Sequence, residues 1–211
     1  MENQPVGARP GEIRHVEVAP RRLAAWFANF TKRHGAVGLE VRDGALVGRA
    51  EDGSHVTARL PFSRAFSGEP DIFSLAEAAE PPARWGLLLV RKGGFAVADV
   101  QEDRIVELTI GQRHVQGRSK AGGQSQQRFA RRRDNQARQA YEAALGHARQ
   151  ILRPGPLVVG GDREAIREVL TGLPGCEVVG SWLAVPDPRR RVVESAVESA
   201  CSVKMSVTNA D

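Results

Sequence analysis

Apolar positions recur along this chain in two rhythms, every second residue where a strand is expected and every third or fourth where a helix is. Val16 and Val18 alternate with polar neighbours and predict a short strand. Pro20 suits a first helical position, Leu23, Trp26, Phe27 and Phe30 share one helical face, and Gly35 is placed to close the helix. The three aromatics on that face read as core rather than as a platform for stacking bases. Strand-like runs follow at 37–41, 45–49 and 55–60, joined by turns that carry Asp43-Gly44 and Asp52-Gly53, pairs that hairpins favour. Residues 1–62 are therefore expected to form a small βαβββ module.

Residues 63–84 read as a linker, with Gly68, Pro70, Pro81 and Pro82 flanking one short helix at 72–79. A second domain is expected over 85–200. Runs at 85–90, 95–100 and 105–110 predict a three-stranded meander, and a polar stretch follows from Gly111 to Gln127. Next comes a long helix whose second half carries an apolar stripe: Ala137, Ala140, Tyr141, Ala144, Leu145, Ala148, Ile151 and Leu152. Pro154 and Pro156 end it. A strand at 157–159, a helix capped by Asp162, strand material at 176–179 and 182–185, and a last helix opened by Pro186 complete the pattern. Gly160-Gly161 reads as a strand-to-helix turn, since no GKS or GxGxxG pattern surrounds it. The order β-β-β-α-β-α-β-α implies an α/β fold with a mixed sheet and flanking helices, similar to an RNase H-like arrangement. Residues 201–211 read as a frayed tail.

Composition narrows the class. The 211 residues include 41% hydrophobic and 26% charged side chains, an ordinary globular balance. The longest apolar cluster, Leu87 to Val90, is far short of a membrane span, and no signal peptide is visible before Gly11. Two cysteines, Cys176 and Cys201, cannot make a disulfide framework or a zinc cage. His15, His34, His55 and His147 lack metal-ligand spacing and are assigned no role. A cytoplasmic monomer without metal or cofactor is the expectation.

The charge is concentrated. Net charge is +5 overall, yet Arg113, Arg118, Lys120, Arg128, Arg131, Arg132, Arg133 and Arg138 stand against one acid, Asp134, in a single segment. That segment carries +7 and the rest of the chain about −2. Positive charge gathered on an otherwise acidic body points to a polyphosphate partner, most often nucleic acid. Arg189 to Arg191 read as an exposed helix start.

Within the basic segment stands Gly122-Gly123-Gln124, too short a motif to mean much alone. Its continuation, Ser125-Gln126-Gln127-Arg128-Phe129-Ala130-Arg131-Arg132-Arg133, fills every fixed position of the GGQS-x-x-RFAR-x-R signature. The run resembles the catalytic signature of eukaryotic and archaeal class I peptide-release factors. Weaker resemblance extends from about Trp85 to Ala200, and the chain is most similar to the actinobacterial type of the Vms-like release-factor family. That resemblance implies a codon-independent peptidyl-tRNA hydrolase in ribosome rescue and quality control. Its partners would be the large ribosomal subunit, through its rRNA, and peptidyl-tRNA.

It also implies roles for residues. Gly122 and Gly123 would let a slim tip enter the RNA cavity where the ester lies. The Gln124 backbone N–H would stabilise charge at the reacting centre, and its side chain would restrict the site to water. Arg118, Lys120, Ser125, Arg128, Arg131, Arg132, Arg133 and Arg138 would contact RNA. The first module is not covered by the resemblance and lacks the Asn-Ile-Lys-Ser element of codon-reading factors.

Three other readings compete. A two-metal nuclease needs converging carboxylates, but the 86–90 strand has none, and Asp99, Glu107 and Asp162 read as surface or capping residues. A metal-free nuclease cutting the tRNA 3′ end could use His114 as general base. A non-catalytic ribosome-binding module would carry the motif without activity.

Overall fold

The computed structural model describes residues 12–112 and 139–210, which form two compact units: Met1–Pro81 with Ser199–Asp211, and Pro82–Glu198. In the first unit β1 (Ile13–Val18) leads through a 3-10 turn at Pro20–Arg22 into α1 (Leu23–His34). Strands β2 (Val37–Arg42), β3 (Ala45–Ala50) and β4 (His55–Arg59) follow as hairpins. Asp43 and Gly44, with φ of 49° and 68°, make the first turn in the left-handed conformation that two-residue hairpins require. Apolar side chains of this unit gather into one core, with Leu23, Phe27 and Phe30 of α1 buried in it.

Two expectations fail in this unit. The linker is not a linker: Asp71 caps the helix α2 (Ile72–Ala78), and Phe66, Leu75 and Ala79 are buried in the same core as α1. The frayed tail is a strand, β10 (Val203–Thr208), lying between β1 and β4 in a five-stranded antiparallel sheet of order β1-β10-β4-β3-β2. Val203, Met205 and Val207 point into the core while Lys204, Ser206 and Thr208 do not, so burial alternates along the strand. Cys201, expected near a loose end, is buried just before it.

The second unit holds a mixed five-stranded sheet of order β7-β6-β5-β8-β9. Its members are β5 (Trp85–Arg91), β6 (Gly94–Gln101), β7 (Arg104–Gln112), β8 (Gly155–Gly161) and β9 (Cys176–Val178). The meander pairs antiparallel, while β8 and β9 join parallel, as expected for this α/β arrangement. Residues of β5 are buried on both faces, which explains its continuous apolar run. Helix α3, described over 139–151, packs Ala144, Ala148 and Ile151 with Leu88, Val90 and Val97 of the sheet. Helix α4 (Arg163–Leu170) adds Ile166 and Val169 to that core.

Gly160 and Gly161, expected as a strand-to-helix turn, are instead the last residues of β8, paired with Leu89 and Val90 of β5; the chain turns just after them, where the Asp162 N–H donates to the Val90 carbonyl at 2.7 Å. Asp162 then caps α4, accepting from the Glu164 N–H at 3.1 Å. The expected strand at 182–185 is reduced to one bridge between Gly160 and Leu183, and the Arg163 guanidinium lies 4.4 Å over the Trp182 ring. Helix α5 (Arg190–Ala200) begins four residues after Pro186, because Pro188 disfavours helical backbone at Asp187.

Met205 is 1% exposed at the middle of β10. Met205→Ala is expected to lower stability in urea by about 2–5 kcal/mol, the cost of a large-to-small change in a packed core. In a frayed tail the same change would leave the midpoint in place.

Candidate active site at the base of the basic segment

Every residue that the sequence singles out for the site falls in 113–138, outside the described residues: Gly122, Gly123, Gln124, Arg118, Lys120, Ser125, Arg128, Arg131, Arg132, Arg133 and Arg138. His114 falls there too. What the structure supplies is the frame on either side. Chain enters the segment from β7, whose end pairs with the start of β6, Gly111 opposite Phe95 and Gln112 opposite Gly94. It leaves the segment into α3.

Phe95 packs against the end of β7 and against the body of α3, about two turns beyond the helix's first described residue. A side chain added at Gly111 would run into the Phe95 ring, so β7 approaches that ring as only glycine allows. On the α3 side the His147 ring lies 5.6 Å from Phe95, tilted by 30°. Ala140, Ala144 and Ala148 are buried at successive four-residue steps of α3, with Ile151 and Leu152 continuing the stripe. Arg149 Nε donates to the Gly172 carbonyl at 3.0 Å, tying α3 to the turn after α4. Tyr141, half-buried on α3, has its hydroxyl pKa raised, first by burial and then by the negative charges of Asp162, Glu164 and Glu168. The described side of α3 thus faces acid and apolar groups, while the basic charge is gathered at 113–138.

The carboxylates raised for a nuclease are engaged elsewhere. Asp99, expected at the surface, is 4% exposed and takes a two-pronged ion pair from Arg84, Nε to Oδ1 at 2.9 Å and the terminal nitrogen to Oδ2 at 2.6 Å. Those hydrogen bonds and the Asp99 charge raise the Arg84 pKa above its ordinary value. Glu107 stands opposite Asp99 on β7, and Asp162 is a helix cap. Among the described residues no three His, Cys, Asp or Glu side chains gather as a metal site would need.

Other side chains with chemistry have structural partners. Burial raises the Cys176 thiol pKa, and its sulfur lies 3.7 Å from the Arg153 carbonyl. His34 Nδ1 is 2.8 Å from Asp52 Oδ2 and 3.1 Å from Ser54 Oγ. The part sequence reasoning missed is the triad Phe95, Gly111 and His147. Gly111 was visible only as the start of a polar stretch, and nothing in the pattern linked it to a ring sixteen residues earlier.

Among the described residues no helix is long and apolar enough to cross a membrane. No curated protein matches the chain. A model of the family described as Actinobacteria/chloroflexi VLRF1 release factor matches residues 83–206, which spans all five strands of the second sheet and the segment that carries Gly122-Gly123-Gln124. More than half of the chain lies within that match, and the protein therefore belongs to the VLRF1 release-factor family.

Proposed function

We propose that this protein is a codon-independent peptidyl-tRNA hydrolase that frees nascent chains from stalled large ribosomal subunits. The observation that carries the reading is the run from Gly122 to Arg133, complete in its signature, within a release-factor family member. The packing of the end of β7 and the body of α3 against one aromatic, Phe95, supports it, since a tip that enters an RNA cavity needs a firm base.

The bond broken is the ester between the peptide and the tRNA 3′ oxygen. Water adds to the carbonyl carbon, negative charge builds on the carbonyl oxygen, and the tRNA hydroxyl leaves. A backbone N–H at Gln124, aimed at that oxygen, lowers the barrier without moving a proton itself. The Gln124 amide admits water and excludes bulkier nucleophiles. Arg128, Arg131, Arg132 and Arg133 neutralise RNA phosphates and so fix where the tip rests, together with Arg118, Lys120, Ser125 and Arg138. No metal or cofactor takes part, and the protein acts as a cytoplasmic monomer.

With stalled large subunits carrying labelled peptidyl-tRNA, wild-type protein should release free peptide and leave an intact terminal CCA. Gln124→Pro, which removes the backbone N–H, should slow release on the order of a hundredfold or more, the scale of losing one donor aimed at the developing charge, with subunit binding retained. Peptide still carrying a nucleotide would make the protein a nuclease, and absence of release by wild type would leave a binding module. Subunit affinity should fall roughly a hundredfold between 50 and 200 mM salt if about four phosphates are neutralised. A flat salt profile would remove the docking role of the arginines.

A further inference from the structure

The first unit contains a groove of about 290 Å³, close to the lower size of small-ligand sites. It opens between the last turns of α1 and the edge of the sheet where β1 meets β10. Val16, Phe30 and Val207 supply apolar lining, Trp26 supplies a partly exposed indole, and Arg14 and Arg33 bring two guanidinium groups. Glu12 is the single carboxylate among the lining residues.

Local structure explains how these groups meet. Arg14, Val16 and Val18 lie at alternate positions of β1 and so share its helix-facing side; across the ladder they stand opposite Val207, Met205 and Val203. The pattern of that side calls for an apolar residue, yet its outermost position is arginine. Trp26, Phe30 and Arg33 fall one turn apart along α1. The Trp26 and Phe30 rings are 5.4 Å apart and within 12° of parallel, and Trp26 meets Phe27 edge-on at 5.2 Å. The aromatic wall is therefore fixed before any ligand arrives. His34, bound to Asp52 and Ser54, fixes one more lining residue.

Charge selects the occupant. From Pro20 to Gly35 the chain carries Arg21, Arg22, Lys32 and Arg33 and no acid. The helix C-terminus accounts for basic residues in the last turn of α1, but not for Arg14 on the facing strand. Among the described residues neither Arg14 nor Arg33 is in an ion pair. A planar apolar wall and two unpaired guanidinium groups lining one groove match a base joined to a phosphate. Aromatic stacking with flanking arginines is how single strands are held without regard to sequence.

We propose that this groove binds one unpaired nucleotide of RNA, its base against Trp26 and its phosphate between Arg14 and Arg33. The proposal rests on the reading that the protein works on ribosome-bound RNA. It gives the first unit a part in that work, as a second contact apart from the basic segment.

The test uses the full chain labelled with ¹⁵N and a hexa-uridylate RNA, read at the indole N–H signal of Trp26. Trp26→Phe assigns that signal among those of Trp26, Trp85 and Trp182. The Trp26 signal should shift to saturation as RNA is added. Arg14→Gln with Arg33→Gln should weaken that response tenfold or more while the Trp85 and Trp182 signals keep their positions, which shows the fold intact. An unmoved Trp26 signal while RNA anisotropy reports binding overturns the proposal, as does an unchanged response in the double variant. Equal affinity for hexaglutamate would also overturn it and assign the groove to acidic peptides. Gln124→Pro separates this idea from the release reading: it should leave the Trp26 response intact, whereas only the release reading fails if that variant still frees peptide at the wild-type rate.

Discussion

Small side chains set how closely a helix can lie on a sheet, and the alanines of α3 set it here. Ala140, Ala144 and Ala148 are buried at four-residue steps, and Ile151 and Leu152 fill the space beyond them. This packing holds the chain where it returns from a segment with eight basic residues and one acid. Such a segment has little apolar surface with which to form a core of its own, because charged groups resist leaving water. The energy that fixes its roots must come from neighbours. Phe95 ties the end of β7 to the body of α3, one ring meeting Gly111 and His147.

The family match and the two units do not share boundaries. The match runs over 83–206, past the end of the second unit and into β10, which belongs to the sheet of the first. The matched stretch therefore includes a strand whose hydrogen-bond partners, β1 and β4, lie outside it. Its core face, Val203 and Met205, is completed by Leu23, Phe27 and Leu75 of the first unit. The end of the matched stretch, 199–206, thus belongs to the first unit, held there by backbone pairing and a common core.

Most elements were legible because each obeyed one period. The hairpins announced themselves through Asp43-Gly44, and β5 through an apolar run that only a strand covered on both faces needs. The C-terminal strand was equally written in the sequence: Val203, Met205 and Val207 alternate with Lys204, Ser206 and Thr208. Position near the end suggests fraying, while its partners stand more than 140 residues away. Long-range pairing leaves no local trace beyond the alternation itself. The same holds for Asp99, whose burial depends on Arg84 reaching it from outside the strand, and for Phe66 and Leu75, which looked like linker. The candidate site was legible in a different way. Its motif could be read directly, but the groove beside Trp26 could not, since Arg14 and Arg33 become neighbours only through the sheet and helix that carry them.

The place of β10 has a consequence for the order in which the molecule can be made. The ribosome delivers β1 and β4 early, then all of the second unit, and only then the strand that must pair with both. At about 5–20 residues per second, β4 and β10 are separated by roughly 7–30 seconds of synthesis. Through that interval two strands wait with open edges, the kind of edge that recruits wrong partners. The second unit has its five strands in hand sooner and can close first. Val207, part of the groove lining, arrives with β10. The groove of the first unit therefore forms only after the second unit has been made, in chains whose synthesis has passed the release-factor region entirely.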